Sequence, residues 1–232
     1  MDSIRINKFL NDLKQNNHKD WFQENRDEYL ACKQDFENNV DQAIRRIATF
    51  DDSIAHLTAK DCIYRFNRDT RFSPDKSPYK THLGAYIAAH GKKALHGGYY
   101  IHVEPGCSML ACGTYWLPTN ILTACRNELI ANSGEWNKYV ENPDFVRLFG
   151  RVRNSSYGNR NGFGMSFLKT CPKGFSKDEK QLDYLRMKDY CCWHGVDDDF
   201  FCSPSWMDEM EHIFRTGKPM MDFINAVVDD YE

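Results

Sequence analysis

The segment from residue 60 to residue 82 is the densest group of charged side chains in the sequence. Its charged residues are Lys60, Arg65, Arg68, Arg71, Lys76 and Lys80 against Asp61, Asp69 and Asp75. Six cations against three carboxylates leave +3, and since the whole chain carries −3, the remainder carries −6. Guanidinium groups recognise phosphate and carboxylate through paired hydrogen bonds. The composition of this segment therefore predicts an anion-binding site.

Specific roles follow from the residue types in this segment. The expected ligand-binding residues are Arg65, Arg68, Arg71, Lys76 and Lys80. The expected catalytic residues are Asp69, Asp75, Tyr79 and His102. In this interpretation the two aspartates orient the cations, or one of them transfers a proton.

The same spacing also fits a structural interpretation. Arginine and aspartate so close together can pair with each other and fix a loop, because structural ion-pair networks resemble functional sites. The prolines at positions 74 and 78 stiffen this loop. The sequence leaves both interpretations open, since it does not show whether the segment continues as a strand or coils after Phe66.

A second polar group lies on a predicted strand. From Tyr99 to Glu104 the residues alternate, so that Tyr100, His102 and Glu104 share one face. His102 with Glu104 suits a general base with a carboxylate partner, or a pair of metal ligands; a plain solvated strand face is the alternative. The other histidines nearby follow no zinc-binding spacing, and we expect neither a metal nor another cofactor.

The elements that position these groups follow from the periodicity of apolar residues. The expected helices are 4–13, 20–47, short ones after Pro118, 176–187, and two terminal helices separated at Gly217–Pro219. The expected strands are 62–66, 84–89, 99–104, 107–115, 163–170 and one within 189–202, and residues 153–164 are expected to form a loop. Helices, then strands, then helices indicate an α+β fold. We expect a single domain over 1–232, with one antiparallel or mixed sheet, a long N-terminal helix and a helical C-terminus.

The composition excludes several classes of protein. The chain has 232 residues, of which 41% are hydrophobic and 14% aromatic, too many for a disordered protein. A net charge of −3 argues against a globally basic nucleic-acid-binding protein. No apolar run is long enough to span a membrane, and the first residues lack the layout of a signal peptide. We therefore expect a cytoplasmic protein whose nine cysteines are mostly buried, reduced thiols.

The arginine-rich segment resembles the signature of a bacterial family, domain of unknown function 2461. The residues that carry the resemblance are Arg65, Arg68, Asp69, Arg71, Phe72, Asp75, Lys76 and Tyr79. Further similarity is found in Asn17 with Trp21-Phe22, in Tyr100-x-His102-x-Glu104-Pro105-Gly106, and in Pro172-x-Gly174-Phe175. The resemblance covers nearly the whole chain and implies that residues 65–79 are important, but it implies no particular reaction.

Two functions follow as expectations. The first is the binding of, or action on, a small molecule that bears a phosphate or a carboxylate group. The second is a non-catalytic module that binds protein or nucleic acid, in which the Arg/Asp motif is a structural ion-pair network. The low net charge disfavours nucleic acid, and the sequence does not decide whether the protein is an enzyme or what its oligomeric state is.

Overall fold

Amphipathic helices form the N-terminal part of the chain. Helix α1 spans Ser3–Gln15, and Asp2 caps it by accepting a hydrogen bond from the backbone N–H of Arg5. Helices α2 (Lys19–Glu24) and α3 (Arg26–Ile47) follow. The prediction of one continuous helix over 20–47 is wrong at Asn25, where the backbone leaves helical geometry. The Asn25 side chain there donates to the carbonyl oxygen of Trp21 at 2.9 Å, which closes α2.

The computed structural model describes residues 1–152, 155–156 and 158–231. After α3 the elements are a short 3-10 helix (Asp52–Ile54), α4 (Ala59–Cys62), β1 (Leu83–Ile87), β2 (Gly98–Val103), β3 (Met109–Thr114), α5 (Thr119–Ala131), α6 (Ser133–Val140), α7 (Pro143–Phe149), β4 (Asn161–Phe163), α8 (Leu182–Leu185), β5 (Tyr190–Gly195), a second 3-10 helix (Phe200–Cys202) and α9 (Trp206–Asp229). The strands form one sheet in the order β1-β2-β3-β5-β4, and β4 pairs antiparallel with β5. This arrangement confirms the predicted α+β fold with a long N-terminal helix and a helical C-terminus.

The chain divides into two compact units. The first contains Met1–Lys92, Tyr100–Met109 and Val196–Glu211. Its core includes an aromatic cluster that is made of Phe9, Phe22, Tyr29, Phe66 and Tyr79. In this cluster the rings of Phe22 and Tyr79 are stacked, with centroids 4.0 Å apart. The cluster joins α1, α2 and α3 to the segment that carries the arginine-rich motif.

The second unit contains Lys93–Tyr99, Leu110–Gly195 and His212–Glu232. The fully buried indole of Trp136 packs edge-on against the rings of Tyr184 and Tyr190, with centroids 5.6 and 5.7 Å away. In the same unit the buried guanidinium of Arg126 donates to the carbonyl oxygens of Leu185 and Met187. These contacts hold α5, α6 and α8 against β5.

Several predicted elements differ from the structure. The strand expected over 62–66 is reduced to an isolated bridge between Ile63 and Ala85, and the one over 163–170 to β4 and a bridge at Phe167. The helix expected from 176 to 187 exists only as α8, because the Ser176 hydroxyl caps a turn at Asp178 that does not propagate. In the expected loop over 153–164, positions 153, 154 and 157 lie outside the described residues.

The predicted break between two terminal helices at Gly217–Pro219 is wrong, since α9 continues through Pro219. Buried side chains on both sides of the proline, from Met210 to Val228, fix the helix by packing. None of the helices that the structure describes is long and apolar enough to cross a membrane. All nine cysteines are free, and six are buried, which confirms the prediction for those six; Cys171 is half-buried, whereas Cys107 and Cys202 are exposed.

Candidate functional site

The arginine-rich motif folds as a hairpin-like segment, residues 64–84, which we call the arginine loop. Its stem is formed by residues 64–67 and 79–84, which end at the bridge between Asn67 and Tyr79, and its tip by residues 68–78. The backbone N–H of Arg68 donates to the carbonyl of Pro78 at 2.9 Å, and that of Lys80 donates to the carbonyl of Phe66 at 3.0 Å. The stem therefore has antiparallel pairing although few of its residues form regular strand.

A bulge interrupts this pairing. The next hydrogen bond of the stem runs from the N–H of Tyr64 to the carbonyl of Gly84, at 3.0 Å. Between the Phe66–Lys80 bond and this one, the chain advances two residues on the first side of the stem and four on the second. The two extra residues fall in the stretch that contains Thr81 and His82. Bulges redirect side chains locally, and this one directs both residues toward the polar face of β2, where Thr81 donates to Glu104 at 3.3 Å and the rings of His82 and His102 are 4.6 Å apart.

Within the tip, two of the predicted ligand-binding arginines pair with carboxylates of the motif itself. Arg71 forms a bidentate pair with Asp69, at 3.0 and 2.7 Å, which lowers the pKa of Asp69. Arg68 pairs with Asp75, whose pKa is lowered mainly by hydrogen bonds from Ser77 and further by this guanidinium. These contacts are the internal ion pairs of the structural interpretation.

Lys76 is also engaged within the tip. Its ammonium donates to the carbonyl oxygen of Thr70 at 2.9 Å. The predicted catalytic residues Asp69 and Asp75 are exposed, and each accepts hydrogen bonds from its own loop. The tip thus uses its charges to hold its own conformation, with Phe72 almost entirely exposed beside Arg71.

The two cations of the stem, Arg65 and Lys80, have a different environment. In the part of the chain that the structure describes, no carboxylate forms an ion pair with either of them. Lys80 is half-buried, and its ammonium lies 5.2 Å from the centre of the Tyr64 ring. Burial, and then the positive charge of Arg65, lower the pKa of Lys80. An anion placed here would relieve both effects.

The polar face of β2 lies next to these cations. The Tyr100 hydroxyl is 2.8 Å from Nδ1 of His102, and Nε2 of His102 is 3.0 Å from Oε2 of Glu104. The hydrogen bond from His102 lowers the pKa of Glu104 despite its partial burial. Burial raises the pKa of Tyr100. A carboxylate, an imidazole and a phenol are therefore connected in a row, an arrangement able to orient the ring and move a proton along it.

His82 and Gly84 complete this face from the side of the arginine loop. Burial, with the nearby His102, lowers the pKa of His82 to about 4, so that this imidazole is neutral at pH 7. A Cβ at position 84 would lie 2.7 Å from the Tyr100 hydroxyl oxygen, closer than real Cβ contacts allow. Glycine at this position therefore leaves the space in which the Tyr100 hydroxyl reaches His102.

The structure brings together only some of the predicted site residues. Lys80 lies near the polar face of β2: besides burial and His102, its charge lowers the pKa of His82, and the Tyr64 ring contacts both the Lys80 ammonium and the Tyr100 ring. Arg65 lies close enough to Lys80 to help lower its pKa. Arg68, Arg71, Lys76, Asp69 and Asp75 form the self-paired tip. Tyr79 packs its ring on Phe22, and its backbone N–H and carbonyl bond to the Asn17 side chain at 3.1 and 2.9 Å. A role of these residues in catalysis or binding stays a prediction.

Sequence reasoning missed His82 as a member of the site, and it did not include Tyr100 and Glu104 among the expected catalytic residues, although Glu104 was considered as a partner of His102. The alternation of β2 did place Tyr100 and Glu104 on the face of His102. Nothing in the sequence indicated His82, because it reaches this face only through the bulge in the stem. His82, His102 and Glu104 also offer donor atoms that all lie within 4.8 Å of one another.

Comparison with known proteins gives a match at the level of a family. A family model described as "Conserved hypothetical protein (DUF2461)" matches residues 5–223. No curated protein and no solved structure matches the chain. The matched range includes the whole arginine loop and the polar face of β2.

Proposed function

We propose a function for this chain, which belongs to the DUF2461 family of conserved hypothetical proteins, from the chemistry of its candidate site. The protein binds a small molecule that carries a phosphate or a carboxylate group, and Arg65 and Lys80 receive that group. The observation that carries this proposal is the half-buried ammonium of Lys80, which forms no ion pair with a carboxylate among the described residues and lies close to the positive charge of Arg65.

The physical argument is electrostatic. Two cations near each other raise the free energy of the unliganded protein, since each disfavours the charge of the other. An oxyanion between them accepts charge-assisted hydrogen bonds, each of which contributes about 1.5–3 kcal/mol. His82 and the row Tyr100–His102–Glu104 then face the part of the ligand next to its anionic group.

The proposal is tested by ligand binding to the full chain. A panel of phosphate- and carboxylate-bearing compounds is screened by thermal shift, and the affinity of each hit is measured by calorimetry. The variant Arg65→Gln/Lys80→Gln is expected to lose at least tenfold in affinity, because two charge-assisted hydrogen bonds are removed. Arg71→Gln is the matched control, since its guanidinium already pairs with Asp69. Equal affinity in the double variant and the wild type would overturn the proposal.

A second candidate function is the non-catalytic alternative of the sequence analysis, a module that binds another protein. The observation that favours it is Phe72, which is 94% exposed at the tip and has the Arg71 guanidinium 5.7 Å above its ring. An exposed phenylalanine on a loop braced by its own ion pairs suits contact with a protein more than with a small molecule. Phe72→Ala separates the two functions. The docking function predicts that this variant loses the protein partner that the wild type retains in pull-down experiments, whereas the first function predicts unchanged affinity for the small molecule.

We place the protein in the cytoplasm. The free state of all nine cysteines supports this assignment, because disulfides are rare in reducing compartments.

A further inference from the structure

We infer that His82, His102 and Glu104 form a binding site for a first-row divalent metal ion of the zinc type. Two imidazoles and one carboxylate are donors that such ions prefer, and three protein ligands leave coordination positions open for a further molecule. The inference rests on the geometry of these side chains and does not require the anion site.

The distance between two of the donor atoms already suits a shared ion. Zinc binds histidine nitrogen and carboxylate oxygen at about 2.0–2.2 Å, so that two such donors at right-angled or tetrahedral positions lie about 3.0–3.4 Å apart. Nε2 of His102 and Oε2 of Glu104 are 3.0 Å apart. An ion between them would replace their hydrogen bond without moving either side chain far.

The third donor is within reach of the same ion. The donor atoms of all three residues lie within 4.8 Å of one another, which exceeds the separation expected around zinc by at most about 1.8 Å. A rotation of the half-buried His82 side chain closes this gap.

Surrounding groups hold two of the ligands in place. The Tyr100 hydroxyl contacts Nδ1 of His102 at 2.8 Å, which leaves Nε2 for the metal; such outer hydrogen bonds orient metal-binding histidines. The backbone of Glu104 is fixed by mutual hydrogen bonds with the buried Ser108 hydroxyl, at 3.1 and 3.0 Å. Thr81 donates to the other oxygen of Glu104.

The exposure of the ligands indicates a site open to a further molecule. The His102 side chain is 9% exposed and that of Glu104 is 28% exposed, so the ion would be held from one side and accessible from the other. Open positions are the property of catalytic metal sites, where the ion polarises a bound oxygen. With the Lys80 ammonium near His82, an oxyanion would be positioned beside the metal.

The test is zinc binding to the metal-stripped full chain in phosphate-free buffer. We expect a 1:1 complex by calorimetry, and after substitution with Co²⁺ we expect visible absorption bands that report imidazole coordination. His82→Ala and Glu104→Gln are each expected to weaken zinc binding at least tenfold. His56→Ala is the matched control, because His56 is exposed and lies outside the cluster. Circular dichroism and melting temperature establish that each variant is folded.

Additional variants keep the test decisive. Tyr100→Phe removes only the outer hydrogen bond and is expected to weaken zinc binding about 10–100-fold. Arg65→Gln/Lys80→Gln retains zinc binding, so that a failure of the anion site and a failure of the metal site give different results. The inference is overturned if the wild type binds zinc no more tightly than about 100 μM, or if His82→Ala and Glu104→Gln bind zinc as tightly as the wild type does.

Discussion

Replacing Gly84 with alanine introduces a Cβ against the Tyr100 hydroxyl, where the arginine loop meets β2. The new Cβ would lie 2.7 Å from that oxygen, so either the phenol or the backbone of the stem must shift. Overpacking of this kind costs about 1–3 kcal/mol, and the hydrogen bond to His102 is worth about 1 kcal/mol. Alanine recovers about 0.5–1 kcal/mol relative to glycine within a strand. We expect a net loss of about 1–3 kcal/mol in the free energy of unfolding.

The structure makes a sharper prediction for the double variant. In Tyr100→Phe the hydroxyl is absent, and the nearest ring atom to the new Cβ is Cε2 at 3.2 Å, a tight contact that a small shift of the ring relieves. Gly84→Ala is then expected to cost less than about 1 kcal/mol, because the hydrogen bond is already lost. The two substitutions are therefore coupled by about 1–2 kcal/mol.

Urea denaturation of the four proteins measures this coupling. Gly134→Ala is the control for the substitution itself, since nothing lies within 4 Å of a Cβ at that helical position, and it is expected to stabilise the protein by about 0.5–1 kcal/mol. Equal costs of Gly84→Ala in the wild-type and Tyr100→Phe backgrounds would refute the reasoning. They would mean that the alanine does not disturb the Tyr100 hydroxyl.

Three further predictions concern the stability and reactivity of the chain. Arg126→Met is expected to cost about 2–4 kcal/mol in urea denaturation, because two buried carbonyls lose their donor; the exposed Arg147→Met should stay within about 0.5 kcal/mol of the wild type. Iodoacetamide at pH 8 followed by mass spectrometry should modify the exposed Cys107 and Cys202 first, since burial raises the pKa of Cys32, Cys62 and Cys125 to about 12; rapid labelling of these buried thiols would contradict the fold. Burial raises the pKa of Asp189 above its unfolded value of about 3.9, so the carboxyl stabilises the folded state below that value and loses this contribution as the pH rises through the folded pKa. The stability of the wild type relative to Asp189→Asn should therefore fall as the pH rises above about 4, and a constant difference would exclude the shift.

The sequence predicted β2 and the residues on its polar face because strand alternation is a local property. The members of that face, Tyr100, His102 and Glu104, follow directly from the period of two. The partner of this face was not predictable in the same way. His82 contacts His102 only because the stem has two extra residues on one side, and such a bulge depends on pairing between distant parts of the chain.

The difference between local signals and contacts between distant residues also explains the errors in the predicted helices. A proline inside a helix removes a hydrogen bond and disfavours helix locally, so a break at Pro219 was the natural expectation. The packing of buried residues before and after it, including Phe214 and Met221, outweighs that local cost. In contrast, a favourable local signal at Ser176 did not produce a helix, since α8 begins only at Leu182. Local propensity is a weak predictor where tertiary packing opposes it.

For the candidate site, the sequence indicated the arginine-rich motif, but it did not show which of its cations pair within the loop and which do not. Arginine and aspartate at alternating positions are compatible with self-pairing and with ligand binding. Only the folded hairpin shows that Arg68 and Arg71 turn toward carboxylates of the tip, while Arg65 and Lys80 remain at the stem. This distinction depends on the turn geometry, which side-chain type and spacing do not specify.

The closed hairpin of the arginine loop has a consequence for sequence change. Its ends are joined at the stem by the backbone hydrogen bonds of Arg68 and Lys80, and the entropy of closing a loop depends only weakly on its length. Insertions, deletions or grafted peptides between Asp69 and Ser77 therefore leave the stem and the face of β2 in register. The tip is therefore a part of the protein that an engineer can replace without altering Lys80, His82 and the polar face of β2.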